Sequence, residues 1–468
     1  MTTPDIRHVV VLMLENRSFD CMLGQLYPAS GAFDGLTGTE ENIWHNGNEQ
    51  TAVPVWTDPA TGPGALTTPD PDPGELFTDI QEQLSGKSGF STAMGGFVDN
   101  YMAQPAGGTA PRPEAVMHYF TPAHVPVISQ LARAFGVSDR WFASAPCQTW
   151  PNRLFAHTGS AGGDVNNTPL HVPYMMPTTF ERVAAGGKSW GIFFHDFPQA
   201  AILGRLWPHI GGFHKIGDFL LDAAAGNLPS YSFIEPRYYA DIIGNNPPND
   251  EHPPHNVGDG EQLIAAVYNA VRAGPAWQNT LLIITYDEHG GCFDHVLPGP
   301  ATPPGGPAPD GYGFNSFGVR VPAIIVSPYV PAGSIIRAPG PTPFDHTSIF
   351  KTLQDLFSLD PTPLTPRTAA APSLLGALSA TADNAGPANI VAAATSAAPA
   401  QISQLAALPP NGMQQSLSKA SFLLPTFGAD PTLHIRRLTA APQTLPAHAT
   451  VAAAGADAAA NLRAFLGR

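Results

Sequence analysis

The sequence predicts an α/β sandwich built on a largely parallel sheet, and three observations carry that expectation. Four short apolar runs, residues 6–14, 190–194, 280–286 and 321–327, read as strands with no polar face. Such strands need helices over both sides of the sheet. Helical periods fall between the runs, so strand and helix alternate. With 468 residues, 43% of them hydrophobic, the chain can bury a large core.

The first run, residues 6–14, ends abruptly in Glu15-Asn16. The second, residues 190–194, ends in His195. Residues 261–273 (EQLIAAVYNAVRA) are apolar at Leu263, Ile264, Val267 and Val271, and Gly274-Pro275 stops that helix. The third run, TLLIITY, ends in Asp287-Glu288. After the fourth run, residues 346–357 repeat the helical period. Long Pro-, Gly-, Asn- and Asp-rich loops occupy residues 27–75 and 240–260, and residues 298–312 are nearly all Pro, Gly and Ala. From about Thr368 the composition turns to Ala, Ser, Pro and Leu. Residues 1–365 therefore read as a catalytic body and 366–468 as an Ala/Pro-rich C-terminal extension. Its last segment, 457–466, suits a docked helix with Asp457 as its cap.

Composition excludes some partners. The net charge of -15 repels nucleic acid and anionic membranes at long range. An anionic substrate then needs a local cation, which points to a metal. Cys21, Cys147 and Cys292 form neither a disulfide framework nor a CxxC zinc site. No stretch reaches the roughly 18 apolar residues of a membrane span. Residues 9–14 are too short for a signal-peptide core, and Glu15-Asn16-Arg17 stands where a small-residue cleavage site belongs, so the chain reads as cytoplasmic. Oligomeric state is not legible.

Chemistry concentrates at the strand ends, where α/β proteins bind ligands. Glu15-Asn16 and Asp287-Glu288 each follow a buried run. Oxygen ligands on two parallel strands can converge on one divalent cation. The plainer reading of each pair is a cap on the helix that follows it.

Four ordered blocks, HVVVLMLENRSFD, TWPNR (149–153), YDEHGGCFDH (286–295) and FDHTSIFKTL (344–353), resemble the bacterial phosphoesterase family over roughly residues 5–360. That family includes phospholipases C and a group of acid phosphatases. The resemblance implies a three-layer α/β/α, alkaline-phosphatase-like core, one divalent metal, and a Ser or Thr nucleophile. It implies Glu15, Asn16, Asp287 and Glu288 as metal ligands, with Glu288 standing where some relatives have Asp. It makes Thr149 the nucleophile and a further ligand, forming a phosphothreonine that water hydrolyses. His252, in the loop NDEHPPH, matches a histidine that faces the phosphate, and His195 sits where a relative's active-site histidine lies. His289, His295 and His346 fall in matching blocks and read as residues that orient carboxylates. The aromatic stretches 97–101 and 117–120 resemble pocket walls, with plain core the commoner reading of such stretches.

One position departs from the family. Where many relatives have D-P-G-H, this chain reads Asp72-Pro73-Gly74-Glu75. Three readings of Glu75 stay open: the alignment is off by a residue, Glu75 is a general acid with a raised pKa, or it meets a cationic head group. The metal's identity among Ca, Mg, Mn and Zn is open as well. The leading function is phospholipase C-type hydrolysis of a phosphodiester, favoured by the scarcity of Lys and Arg near the motifs. Alternatives are an acid phosphatase on the same scaffold and a non-catalytic lipid- or carbohydrate-binding protein. A formylglycine sulfatase is disfavoured, because C-x-P-x-R is absent.

Overall fold

The computed structural model describes residues 4–105, 109–395, 399–440 and 443–468. Its strands, in chain order, are β1 (His8–Leu14), β2 (Glu41–Asn46), β3 (Glu49–Pro54), β4 (Gly136–Ser138), β5 (Trp141–Phe142), β6 (Trp190–Phe194), β7 (Phe213–Lys215), β8 (Tyr231–Glu235), β9 (Thr280–Tyr286), β10 (Ala323–Val326), β11 (Ser334–Ile335) and β12 (Phe344–Asp345). Eight of them form the main sheet, in the order β11-β4-β10-β9-β1-β8-β6-β7. All pairings are parallel except those of β10, which runs against β9 and β4. β2 and β3 make a separate hairpin.

β1 lies in the interior of the sheet because its sequence tolerates nothing else. Residues 9–14 are wholly inaccessible, so both faces are covered. The helices Pro126–Ala134 and Ile216–Ala225 each pack on Val257–Ala273, while Thr179–Ala185 and Thr347–Leu356 each pack on Thr149–Thr158. The three expected layers follow. The sequence missed β8, YSFIE, which is short and carries Ser232 in its middle; burial on both faces between β1 and β6 makes it a strand. The helix predicted from Glu261 starts four residues earlier, where the Asn256 side chain accepts from Gly258 N. Gly258 and Gly260 hide that first turn from a propensity argument. Gly260 is needed there, since a Cβ would lie 2.1 Å from Glu251 Oε1.

The C-terminal segment shares the main core. Ile402, Met413, Leu417, Leu462 and Phe465 belong to the same buried cluster as β1. Phe465 meets Phe213 with ring centroids 6.1 Å apart, and Gln414 Nε2 donates to Tyr238 O at 2.6 Å. Arg367 ties its start to the body by donating to Ser144 O and Phe314 O, both at 2.7 Å. The cap expected at Asp457 is corrected. The helix spans Val451–Leu466, and Thr450 Oγ1 caps it by accepting from Ala453 N at 3.2 Å. The Ala-rich first turn hides the true start, and Asp457 falls inside the helix.

Candidate active site

Strand register builds the first half of the site. Leu14 pairs with Tyr286, so Glu15 and Asp287 leave the sheet side by side. Asn16 then turns into left-handed backbone, φ +56°, and its N–H donates to Asp287 Oδ1 at 3.1 Å. Glu288 N donates to the same oxygen at 2.7 Å. The chain reverses after Glu288 through Gly290, φ +59°, whose N–H donates to Glu288 Oε2 at 2.8 Å. A Cβ at Gly290 would lie 2.3 Å from Asn16 O, so the two blocks can approach only with glycine there.

The helix Thr149–Thr158 builds the second half, and the block TWPNR explains its own start. Thr149 is the first helical residue. Pro151 costs nothing there, because the first N–H groups of a helix have no partner within it. Asn152 knots the preceding turn, accepting from Ala145 N at 3.0 Å and donating to Cys147 O at 2.7 Å. Arg153 then reaches both ligand strands. Its Nη2 donates to Glu15 Oε1 at 2.7 Å and its Nε to Asp287 Oδ2 at 3.0 Å. The result places Thr149 Oγ1 3.4 Å from Asn16 Oδ1, at a helix N-terminus that favours anions.

Glu75 enters from the long early loop. It accepts from Asn16 Nδ2 and lies with Oε2 3.5 Å from His252 Nε2. Asp72 Oδ1 is 3.7 Å from His252 Nδ1. Ligand-type atoms of Asp72, Glu75 and His252 all lie within 4.8 Å of one another. Burial and the nearby Asp287 push Glu15 well above the usual carboxyl range. Burial, Glu75 and Asp287 do the same to Glu288. For Glu75 burial acts in the same direction, but the charge and hydrogen bond of His252 outweigh it and hold the group low. Held low beside His252, Glu75 favours its carboxylate form. Burial opposes charge on His252, yet Asp72 and Glu75 outweigh it and raise the ring well above its ordinary value.

The donor set fits a hard divalent cation. Glu15 Oε2 and Glu288 Oε1 are buried without any hydrogen-bond partner among the described residues. Glu15 Oε1, by contrast, takes both Arg153 and Gln199 Nε2, the latter at 2.7 Å. Buried carboxylate oxygens left bare are costly, and a cation or a proton would resolve that cost. Asp287 is the most occupied of the expected ligands, with both oxygens already accepting N–H groups.

His195 is not brought to this group. β6 is two strands away from β1, beyond β8. The His195 ring turns sideways, with Nδ1 3.4 Å from Glu235 O, and lines a cavity of about 470 Å³ with Arg237 and Asn246. Its position at the end of a strand was a real signal, but strand order decides which strand ends meet. Three other histidines brace neighbours. His346 Nε2 lies 2.6 Å from Asp287 O, and His289 Nε2 lies 2.8 Å from Gln83 Oε1. His295 belongs to a separate ion-pair group taken up below. The aromatic stretches are core: Phe97 is inaccessible and packs edge-on to His289 with ring centroids 6.0 Å apart. Sequence reasoning missed Gln199, whose role depends on a fold contact between residues 184 positions apart.

Comparison with known proteins defines a phosphoric ester hydrolase. The chain belongs to the Phosphoesterase family, matched over residues 6–360. It is 39% identical to "Non-specific phospholipase C6" of Arabidopsis thaliana, over 78% of this chain and 70% of that protein. It is 29% identical to "Phospholipase C B" of Mycobacterium tuberculosis, over 82% of this chain and 79% of that one. The likeness therefore extends to plants as well as bacteria. Similar solved structures include a protein in the alkaline phosphatase superfamily from Vibrio parahaemolyticus, with TM-score 0.32, 11% identity, and coverage of 53% of this chain and 64% of that one.

Proposed function

We propose that this hydrolase is a phospholipase C-type phosphodiesterase that works through a phosphothreonine at Thr149. One divalent cation would be held by Glu15, Asn16, Thr149 and Glu288, with Asp287 alongside. The observation that carries the reading is the Thr149 hydroxyl, 3.4 Å from Asn16 Oδ1, whose neighbours along the two ligand strands include the bare oxygens Glu15 Oε2 and Glu288 Oε1. When bound, the cation supplies charge that favours the threonine alkoxide and the phosphoryl oxygens.

The chain's own groups do the rest. Thr149 releases its hydroxyl proton to solvent, and the resulting Oγ1 alkoxide bonds to phosphorus as the diacylglycerol oxygen leaves. His252, buried with its Nε2 3.5 Å from Glu75 Oε2, protonates that oxygen. Water then cleaves the phosphothreonine with the neutral His252 taking its proton, and the phosphorylated head group departs. Arg153 holds Glu15 and Asp287 in register. Glu75 fixes the Asn16 amide, so that Oδ1 faces Thr149.

A diester suits the site better than a monoester dianion, because the arginines near it are committed. Arg153 binds Glu15 and Asp287, and Arg17 donates to Glu251 O at 2.7 Å and Thr68 O at 2.6 Å. The test is acid quenching during turnover of p-nitrophenylphosphorylcholine, with and without chelator, followed by peptide mass analysis. Phosphorylcholine esterified to Thr149 that disappears with chelator is expected. Unimpaired turnover by Thr149→Ala would reject the mechanism, and a preference for p-nitrophenyl phosphate would favour the acid phosphatase alternative.

A further inference from the structure

The loop between β8 and His252 carries a feature that the hydrolytic chemistry does not use. Ile243 is completely exposed and Ile242 is 52% exposed. Large aliphatic side chains do sit singly on surfaces, but these two are adjacent and held out by a built turn. Asp241 and Asn246 exchange backbone hydrogen bonds of 2.9 and 3.0 Å. The Asp241 carboxylate accepts from Gly244 N at 2.9 Å and Asn246 Nδ2 at 3.1 Å. The turn is thus a closed hairpin tip, with residues 242–248 (IIGNNPP) free of charge.

The base of this finger is tied to the reaction centre. Asn249 N donates to Arg237 O at 3.0 Å, and Arg237 N donates to Asn249 Oδ1 at 2.6 Å. The next residue, Asp250, accepts at its carbonyl from Glu15 N at 2.8 Å. Across His252 the apolar Leu76, 48% exposed, directly follows Glu75. The finger and Leu76 are thus two exposed apolar points on segments that lead into the site. Among the described residues, no helix is long and apolar enough to cross a membrane.

We propose that the Ile242–Ile243 finger docks the protein on the surface of a zwitterionic phospholipid bilayer, inserting both side chains among the lipid head groups beside the active site. This rests on the phospholipase reading for its purpose, but its binding does not require turnover. A rigid, uncharged apolar tip loses little order on insertion, and each aliphatic side chain removed from water favours the bound state. The choice of zwitterionic lipid follows from charge: a protein of net charge -15 is repelled by an anionic surface.

The experiment is flotation with phosphatidylcholine vesicles, with or without added phosphatidylserine. Thr149→Ala serves as the background, so that vesicles are not consumed. Replacing both residues, Ile242→Ser with Ile243→Ser, should lower phosphatidylcholine binding about tenfold or more, and phosphatidylserine should weaken binding of the parent. The same double substitution on an intact Thr149 should leave turnover of soluble p-nitrophenylphosphorylcholine unchanged. An Ile243→Trp variant should show indole emission that shifts to the blue on vesicles. Unchanged vesicle binding by the double variant, or indole emission from Ile243→Trp that stays that of an exposed ring, overturns the proposal. Loss of a protein dimer in place of vesicle binding overturns it too. Absence of soluble-diester turnover in the parent would instead count against the phospholipase reading.

Discussion

Two acid-rich groups are made from the same two sequence blocks, and only one of them has bare oxygens. The block at residues 15–20 supplies Glu15 to one group and Asp20 to the other. The block at 287–295 supplies Asp287 and Glu288 to the first, and Asp294 and His295 to the second. In the second group Arg320 Nη2 donates to Asp20 Oδ1 at 2.9 Å and its Nε to Asp294 Oδ1 at 3.0 Å. His295 Nδ1 meets Asp20 Oδ2 at 2.6 Å, and Asp20 N donates to Asp294 Oδ2 at 3.2 Å. Every carboxylate oxygen of Asp20 and Asp294 thus has a donor. The ligand atoms of Asp20, Asp294 and His295 are gathered within 4.8 Å of one another, yet a guanidinium already satisfies them. The group at Thr149 has Arg153 on one side only, which leaves Glu15 Oε2 and Glu288 Oε1 open. Close-set carboxylates are therefore a poor guide by themselves. Unmet acceptors separate a site from a brace.

The largest effect that sharpens this contrast is expected at the hydroxyl. Thr149→Ala should lower kcat by at least about 10³-fold while the denaturation midpoint barely moves, since Thr149 has one long side-chain hydrogen bond to lose. Next comes the brace. Arg320→Met strands two buried aspartates and should cost about 3–5 kcal/mol of unfolding free energy, measured in urea, with cation affinity of the folded fraction retained. The reverse pattern is expected for Glu288→Gln. Cation affinity by calorimetry should fall about 10–100-fold, and the thermal shift on adding cation should shrink with it, while stability in chelator holds or rises because a crowded carboxyl is gone. Equal losses of stability in both variants would erase the distinction.

The smallest effect is a pH dependence of the brace. Burial opposes the charged form of His295, but hydrogen bonds to Asp20 and Asp34 outweigh it and lift the ring to about 10. A folded pKa above the unfolded value of about 6.5 means the stabilisation is complete below that pH. It is lost as pH rises through about 10. The stability gap between the parent and His295→Gln should therefore be widest below about pH 6.5 and close toward pH 10, by urea titration at stepped pH. A gap that widens with pH would contradict the charged His295 bridge.

Much of this site was legible in the chain. Glu15, Asn16, Asp287 and Glu288 stood out because polar residues directly after buried runs emerge at the carboxyl ends of strands. Thr149 was legible through the TWPNR block, although composition alone would have left it an ordinary loop residue. His195 shows the limit of that logic, since a strand end says nothing about which other strand end lies beside it. Glu75 shows another limit. Its setting depends on His252, far along the chain, whose Nε2 lies 3.5 Å from Glu75 Oε2.

The alternation of apolar runs and helical periods by itself determined a layered α/β fold, because strands without a polar face must be covered on both sides. It also determined which side chains lie at the strand ends. Only tertiary structure decided that β1 sits between β8 and β9, that Leu14 pairs with Tyr286, and that Arg153 and Gln199 both take the same oxygen of Glu15. Those are long-range pairings. They depend on strand order and on where the hydrogen-bond donors of distant segments fall, and no local pattern in a chain encodes them.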